Sequence, residues 1–163
     1  MNPEAERIIA LGVAHQVTVS CAESLTGGDV ASALVSIPGA SAVLRGGLVA
    51  YHSDLKSRLL GVDASELEQG GAVSAAVASA MAEGAADLMG SDYAVATTGV
   101  AGPDPDPVSG VEPGVVFIAV AGSGLGTWVR ELRYSGSRDE IRVLATRAAL
   151  QGLRDALSHD YPL

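Results

Sequence analysis

The sequence predicts an α/β domain in which a mixed β-sheet is flanked by helices. Three observations carry that expectation. Helix-like and strand-like segments alternate as far as residue 98, as parallel strands with helical crossovers require. Two further strand-like runs then follow each other across the short link GSGLG, which suggests an antiparallel hairpin. The apolar content, 48% of the chain, rests on Ala, Val, Leu and Gly, and aromatics reach only 4%, a composition suited to close packing of helices on a sheet. The 163 residues are enough for one domain with a sizeable core, taken here as 1–163.

Each element has its own signals. Asn2-Pro3-Glu4-Ala5-Glu6 puts a capping side chain, a proline and two acids at a helix start, and that helix should run to about Leu11 or Val13. Residues 17–21 are a β-branched strand. Thr26-Gly27-Gly28 leads into a helix over about 27–36, closed by Pro38-Gly39. Residues 44–51 read as a second strand, interrupted by Gly46-Gly47. Ser53 is expected to cap a short helix, 54–60, ended by Gly61. A helical turn over 65–69 precedes Gly70-Gly71, and Ser74 caps an alanine-rich helix over 75–89, ended by Gly90. Residues 92–98 form a strand. The stretch 99–114 is too rich in proline and glycine for an element and reads as a long loop. Strands follow at 115–121 and 127–134, and Ser137 caps a last helix from 138 to about 158.

Composition excludes several functions. The net charge is −9 and no Lys/Arg cluster appears, which argues against a nucleic-acid partner. One cysteine, Cys21, allows neither an internal disulfide nor a CxxC metal site, and is expected to be strand packing. No run approaches the roughly 18 apolar residues of a membrane span. The N-terminal residues lack the profile of a signal peptide, so a cytoplasmic location is expected. GSGLG lies between strands, not before a helix, and reads as a hairpin turn. GxxxxGK and GxSxG are missing. His15, His52 and His159 lack metal-ligand spacing. Tyr51 and Lys56 are five apart, which argues against a short-chain-dehydrogenase pair.

Three segments remain as candidates. In Glu23-Ser24-Leu25-Thr26-Gly27-Gly28, at a strand-to-helix turn, the serine could attack a carbonyl with backbone N–H groups of Thr26, Gly27 and Gly28 holding the oxyanion, or could merely cap the helix. In Tyr51-His52-Ser53-Asp54-Leu55-Lys56, the one lysine in a chain with nine arginines stands near a helix start. The dipole there, with any burial, lowers its pKa, and a neutral lysine can serve as a general base where arginine cannot. Ser53 and Lys56 also have SxxK spacing, so Ser53 is a rival nucleophile. Thr97-Thr98-Gly99 runs from a strand into the long loop, where ligands gather in α/β sheets. Arg138 and Arg142, four apart on the last helix, could clamp a phosphate or form ordinary helix ion pairs.

Together these segments resemble one family. AESLTGG, GGLVAYHSDLKSRLLGV, GAVS at residues 71–74, TTGVAGPD at 97–104 and SGSRDEIR are similar, in order, to the motifs of the CinA C-terminal domain, the nicotinamide-mononucleotide amidases. The resemblance implies a three-layer α/β domain that deamidates nicotinamide mononucleotide to nicotinic acid mononucleotide and ammonia, with a serine assisted by a lysine and without metal or other cofactor. Carried over, Ser24 is the nucleophile, Lys56 its base, Tyr51 the site tyrosine that relays protons or orders Lys56. Thr98, with Gly99 beside it, positions ribose or phosphate, and Arg138 and Arg142 are the arginines of SGSRDEIR. A homo-oligomer is expected. The alternatives are hydrolysis of another small amide, or a non-catalytic nucleotide-binding domain of the same fold. The chain departs from the family at Leu25, where cysteine is common, at Ser137, where aspartate is usual, and in PDPDPVSGVEPG. That loop replaces a glycine-rich version containing lysine and carries more acid, an unfavourable charge for a phosphate-bearing ligand.

Overall fold

The computed structural model describes residues 2–122 and 126–162. Its elements run α1 (Pro3–His15), β1 (Val19–Glu23), α2 (Asp29–Val35), a 3₁₀ turn (Ala40–Ala42), β2 (Leu44–Val49), α3 (Ser53–Leu60), α4 (Ala64–Gly70), α5 (Ala75–Met89), β3 (Tyr93–Gly99), β4 (Val115–Gly122), β5 (Gly126–Arg133) and α6 (Arg138–Asp160). The caps read from the sequence are largely in place. Asn2 accepts the Glu4 and Ala5 amides, Ser74 accepts Val77, and Ser137 forms a reciprocal capping box with Glu140. One cap is corrected: His52, not Ser53, is the N-cap of α3, and Ser53 is its first helical residue.

The five strands form one sheet in the order β2-β1-β3-β4-β5. β1 pairs parallel with β2 and β3, and β3, β4 and β5 pair antiparallel, so the sheet is mixed as expected. Gly122 stands opposite Gly126 across the late hairpin; its expected turn, residues 123–125, lies outside the described residues.

Strand alternation divides the core into two layers. Val19, Cys21, Val95, Val116, Ile118 and Val120 point to the face covered by α1, α2 and α6. Ala22, Ala94, Ala96, Ala119 and Ala121 point to the other face, against α5 and α3. The small side chains on that second face let the alanine-rich α5 lie close to the sheet. α3 in turn presses on α5 at Gly84, where a Cβ would lie 2.0 Å from the Leu60 carbonyl oxygen. That contact holds α3, and with it Lys56, under the carboxyl ends of the parallel strands.

Candidate active site

β1, β2 and β3 are parallel, so their carboxyl ends open on one edge of the sheet. β1 lies between β2 and β3, where successive connections leave in opposite directions, the crevice in which such sheets bind ligands. Ser24 follows β1, residues 51–56 follow β2, and Thr98 and Gly99 end β3. β5 runs antiparallel to β4, so its carboxyl end returns to the same edge and delivers Arg138 at the start of α6. A cavity of about 380 Å³ opens there, lined among others by Ser24, Tyr51, Lys56, Thr98, Asp106 and Arg138.

Ser24 and Lys56, 32 residues apart in the chain, are brought into contact. The Lys56 ammonium donates to Ser24 Oγ at 3.0 Å, to the Ala50 carbonyl at 2.7 Å and to the Tyr51 carbonyl at 3.2 Å. Carbonyl oxygens can only accept. Once Lys56 is neutral, its two remaining N–H bonds satisfy the carbonyls, and its lone pair is left for the Ser24 hydroxyl proton. Lys56 is 1% exposed. Burial pushes its pKa from 10.5 down to about 8, against the charge of Asp106, which pulls it up.

The other expected site residues divide in two. Tyr51, Thr98, Gly99 and Arg138 line the cavity. The Tyr51 carbonyl holds Lys56, while its hydroxyl accepts from Arg138 Nη2 at 3.1 Å; Arg138 Nη1 donates to the Gly102 carbonyl at 2.7 Å. Thr98 Oγ1 donates to the Ala72 carbonyl at 2.6 Å. By contrast, Thr26, Gly27, Gly28 and Arg142 do not line the cavity. Thr26 is fully buried, its hydroxyl bonded to Thr97 Oγ1. The Gly27 amide donates to the Ser24 carbonyl and the Gly28 amide to Glu23, so neither is open to a substrate oxyanion. Arg142 spans the turn instead, donating to the Leu25 and Thr26 carbonyls and pairing with Asp29 at 3.0 Å.

Glu23 explains why the glycine amides are taken. α2 begins after Gly28, whose φ of 107° suits a residue without a side chain and which offers no cap of its own. The Glu23 carboxylate supplies one from the strand, accepting from Gly28 and Val30 through Oε2 and from Ala31 through Oε1. The same carboxylate approaches Cys21 Sγ at 3.7 Å. Burial first, then the Glu23 charge and hydrogen bond, pushes the thiol far above its ordinary range, leaving it inert. The signal was the alternation: Glu23 shares a face with Val19 and Cys21, the face that α2 covers.

The long loop contributes residues that the motif reading passed over. Asp104 and Asp106 line the cavity. Asp106 is fixed by the Val108 and Ser109 amides and the Ser109 hydroxyl. Burial raises its pKa, but the bonds from Ser109 and Val108 and the Lys56 charge outweigh that and bring it below its ordinary value. His52 pairs with Asp54 at the exposed start of α3 and does not line the cavity. Among the described residues, no cluster of His, Cys, Asp and Glu is placed to hold a metal ion, and no helix is long and apolar enough to cross a membrane.

Fold and site define a class: an α/β domain with a buried lysine bonded to a serine at the parallel-strand edge. The chain belongs to the CinA C-terminal domain family, whose model matches residues 2–157. It is 43% identical over 93% of its length to a CinA-like protein from Frankia casuarinae, of which it spans 34%. It thus covers about a third of the curated relatives it matches. A solved structure of the competence/damage inducible protein CihA from Agrobacterium tumefaciens superposes with a TM-score of 0.89 at 40% identity, covering 95% of this chain and 93% of that one. A CinA superfamily protein from Klebsiella pneumoniae does so with a TM-score of 0.88 at 30% identity, covering 96% of each.

Proposed function

We propose that the protein is an amidohydrolase that converts nicotinamide mononucleotide and water to nicotinic acid mononucleotide and ammonia. The observation that carries this reading is the 3.0 Å contact between Lys56 Nζ and Ser24 Oγ inside a cavity of ligand size. The choice of substrate is supported by the resemblance of the five motifs. Lys56, neutral, takes the Ser24 proton as Oγ bonds to the carboxamide carbon. The proton passes to the departing nitrogen, the C–N bond breaks, and ammonia leaves an acyl-serine. Water then cleaves the ester, and the carboxylate and free Ser24 are regenerated. Among the described residues, the Leu25 amide carries no hydrogen bond and Leu25 lines the cavity; it replaces Thr26, Gly27 and Gly28 as the donor to the oxyanion.

A homo-oligomer in the cytoplasm, acting on a small molecule and not on nucleic acid, remains part of the proposal. Ammonia release from nicotinamide mononucleotide is the direct assay. Ser24→Ala is expected to lower kcat by on the order of 10⁴-fold or more. Turnover by Ser24→Ala at the wild-type rate would sink the serine mechanism, and binding without any product in the wild type would favour a non-catalytic domain.

A further inference from the structure

Leu25 presents the backbone amide left for an oxyanion, so the chemistry at Ser24 depends on how firmly that amide is aimed. Contacts from three directions fix the backbone of Ser24, Leu25 and Thr26. From β3, the Thr97 carbonyl and hydroxyl both accept the Ser24 amide, at 3.1 and 3.3 Å, and the Thr97 hydroxyl also bonds that of Thr26. From inside the turn, the Gly27 amide donates to the Ser24 carbonyl at 3.1 Å. That bond holds the peptide plane whose N–H belongs to Leu25. From α6, Arg142 Nε donates to the Leu25 carbonyl at 2.9 Å and Nη2 to the Thr26 carbonyl at 3.2 Å.

The Thr26 carbonyl has a second donor, the Asp29 amide at 3.2 Å. Among the described residues the carbonyl of buried Leu25 has no partner but Arg142. Without the guanidinium, that carbonyl is left unpaired, and a rotation of the peptide that finds it a new donor turns Leu25, and its amide, with it. The residue type suits the task. Nε and Nη2 lie along one edge of the planar fork and meet two consecutive carbonyls, while Nη2 also donates to Asp29 at 3.0 Å. Gly27 leaves room for the fork, since a Cβ there would lie 3.4 Å from Nη2. We infer that Arg142 is a positioning residue: by holding the Leu25 carbonyl from α6 it aims the Leu25 amide at the oxyanion, and it touches no substrate. This rests on the amidase reading and adds a residue to it. A donor to the oxyanion acts on the transition state more than on the bound amide, so the effect of Arg142 belongs in kcat and not in KM.

The test measures ammonia release from nicotinamide mononucleotide by the full chain as wild type, Arg142→Lys and Arg142→Ala, each at a temperature where its thermal melt shows it folded. Arg142→Ala is expected to lose roughly 10- to 100-fold in kcat, up to the effect of removing an oxyanion donor, with KM within about threefold of wild type. Its pH profile should keep the inflection near 8, because Lys56 keeps its three partners. Arg142→Lys offers one nitrogen in place of the fork and should recover part of the loss. Arg142 is partly exposed, so guanidinium at concentrations too low to unfold the protein can enter the space left by Arg142→Ala. It should raise kcat there by about threefold or more and leave the wild type unchanged. If Arg142→Ala does not fold, the same comparison of kcat and KM on Arg142→Lys decides. A rise in KM at unchanged kcat overturns the inference and returns Arg142 to holding a phosphate. Wild-type kcat and KM with a lowered melting temperature overturn it too, leaving a brace without a part in the reaction. A loss of kcat that neither lysine nor guanidinium reverses in part also overturns it. These three results leave the deamidase reading standing; no ammonia from the wild type overturns both.

Discussion

Two strand-to-helix turns stand side by side at the carboxyl edge of the sheet, β1 to α2 and β2 to α3. Each buries one charged side chain that is only 1% exposed, Glu23 in the first and Lys56 in the second. Glu23 meets three backbone amides of its own turn, all donors, and with them completes the start of a helix. Lys56 meets two carbonyls and one hydroxyl, and the hydroxyl can reverse its role from acceptor to donor. Burial alone therefore does not mark a catalytic charge. What separates the two is whether a partner can exchange a proton with the buried group.

The widest separation between the turns should come from substituting each charge. Lys56→Met is expected to lower the rate of ammonia release by roughly 10²- to 10⁴-fold while the protein stays folded, because an apolar chain of similar length replaces a buried cation. Lys56→Arg should lose activity to a similar extent, since arginine does not deprotonate near neutral pH. In the wild type the unfolded chain binds more protons than the native one between about pH 8 and 10.5, so stability rises with pH across that window. Thermal melts of Lys56→Met should lack that rise. Equal activity in Lys56→Met and wild type would remove the distinction drawn between the turns.

Glu23→Ala should act in the opposite sense. It strands three backbone donors and is expected to lower stability by about 2–4 kcal/mol in denaturant titration. Unchanged stability would mean that water or another group caps α2 as well as Glu23 does. A smaller effect lies in the pH profile. The rate should rise with pH through an inflection near 8 as Lys56 loses its proton. Asp106→Asn removes a charge that favours the ammonium, so its inflection should move to lower pH; a move upward would contradict the placement of Asp106. The smallest effect is expected for Ser53→Ala. Lys56 donates to Ser24 and not to Ser53, so activity should stay within about twofold of wild type. A large loss would restore Ser53 as the nucleophile.

Much of the fold could be read locally. Asn2, Ser74 and Ser137 cap helices because capping needs only a side-chain oxygen two or three residues from the amide it accepts. The cap on α2 escaped that reading because its carboxylate comes from the preceding strand, five to eight residues away, across a glycine turn. Ser53 was misassigned for a local reason: a serine at a helix start looks like a cap, but the chain enters α3 one residue earlier, at His52. Arg138 and Arg142 share a helix face by spacing, yet the first reaches the cavity and the second is drawn under the turn by the carbonyls of Leu25 and Thr26.

The sequence by itself determined the element order, the mixed sheet and the residue types able to do acyl chemistry, because periodicity, capping and intrinsic acidity are local properties. Only the tertiary structure decided which of those residues meet. Parallel pairing of β1 with β2 and β3 puts three distant strand ends on one edge. Packing of α3 on α5 buries Lys56 beside Ser24, and the long loop brings Asp106 to the wall of the same cavity. A pKa near 8 and a shared proton are properties of that assembly, since each depends on distances that no segment of the chain fixes alone.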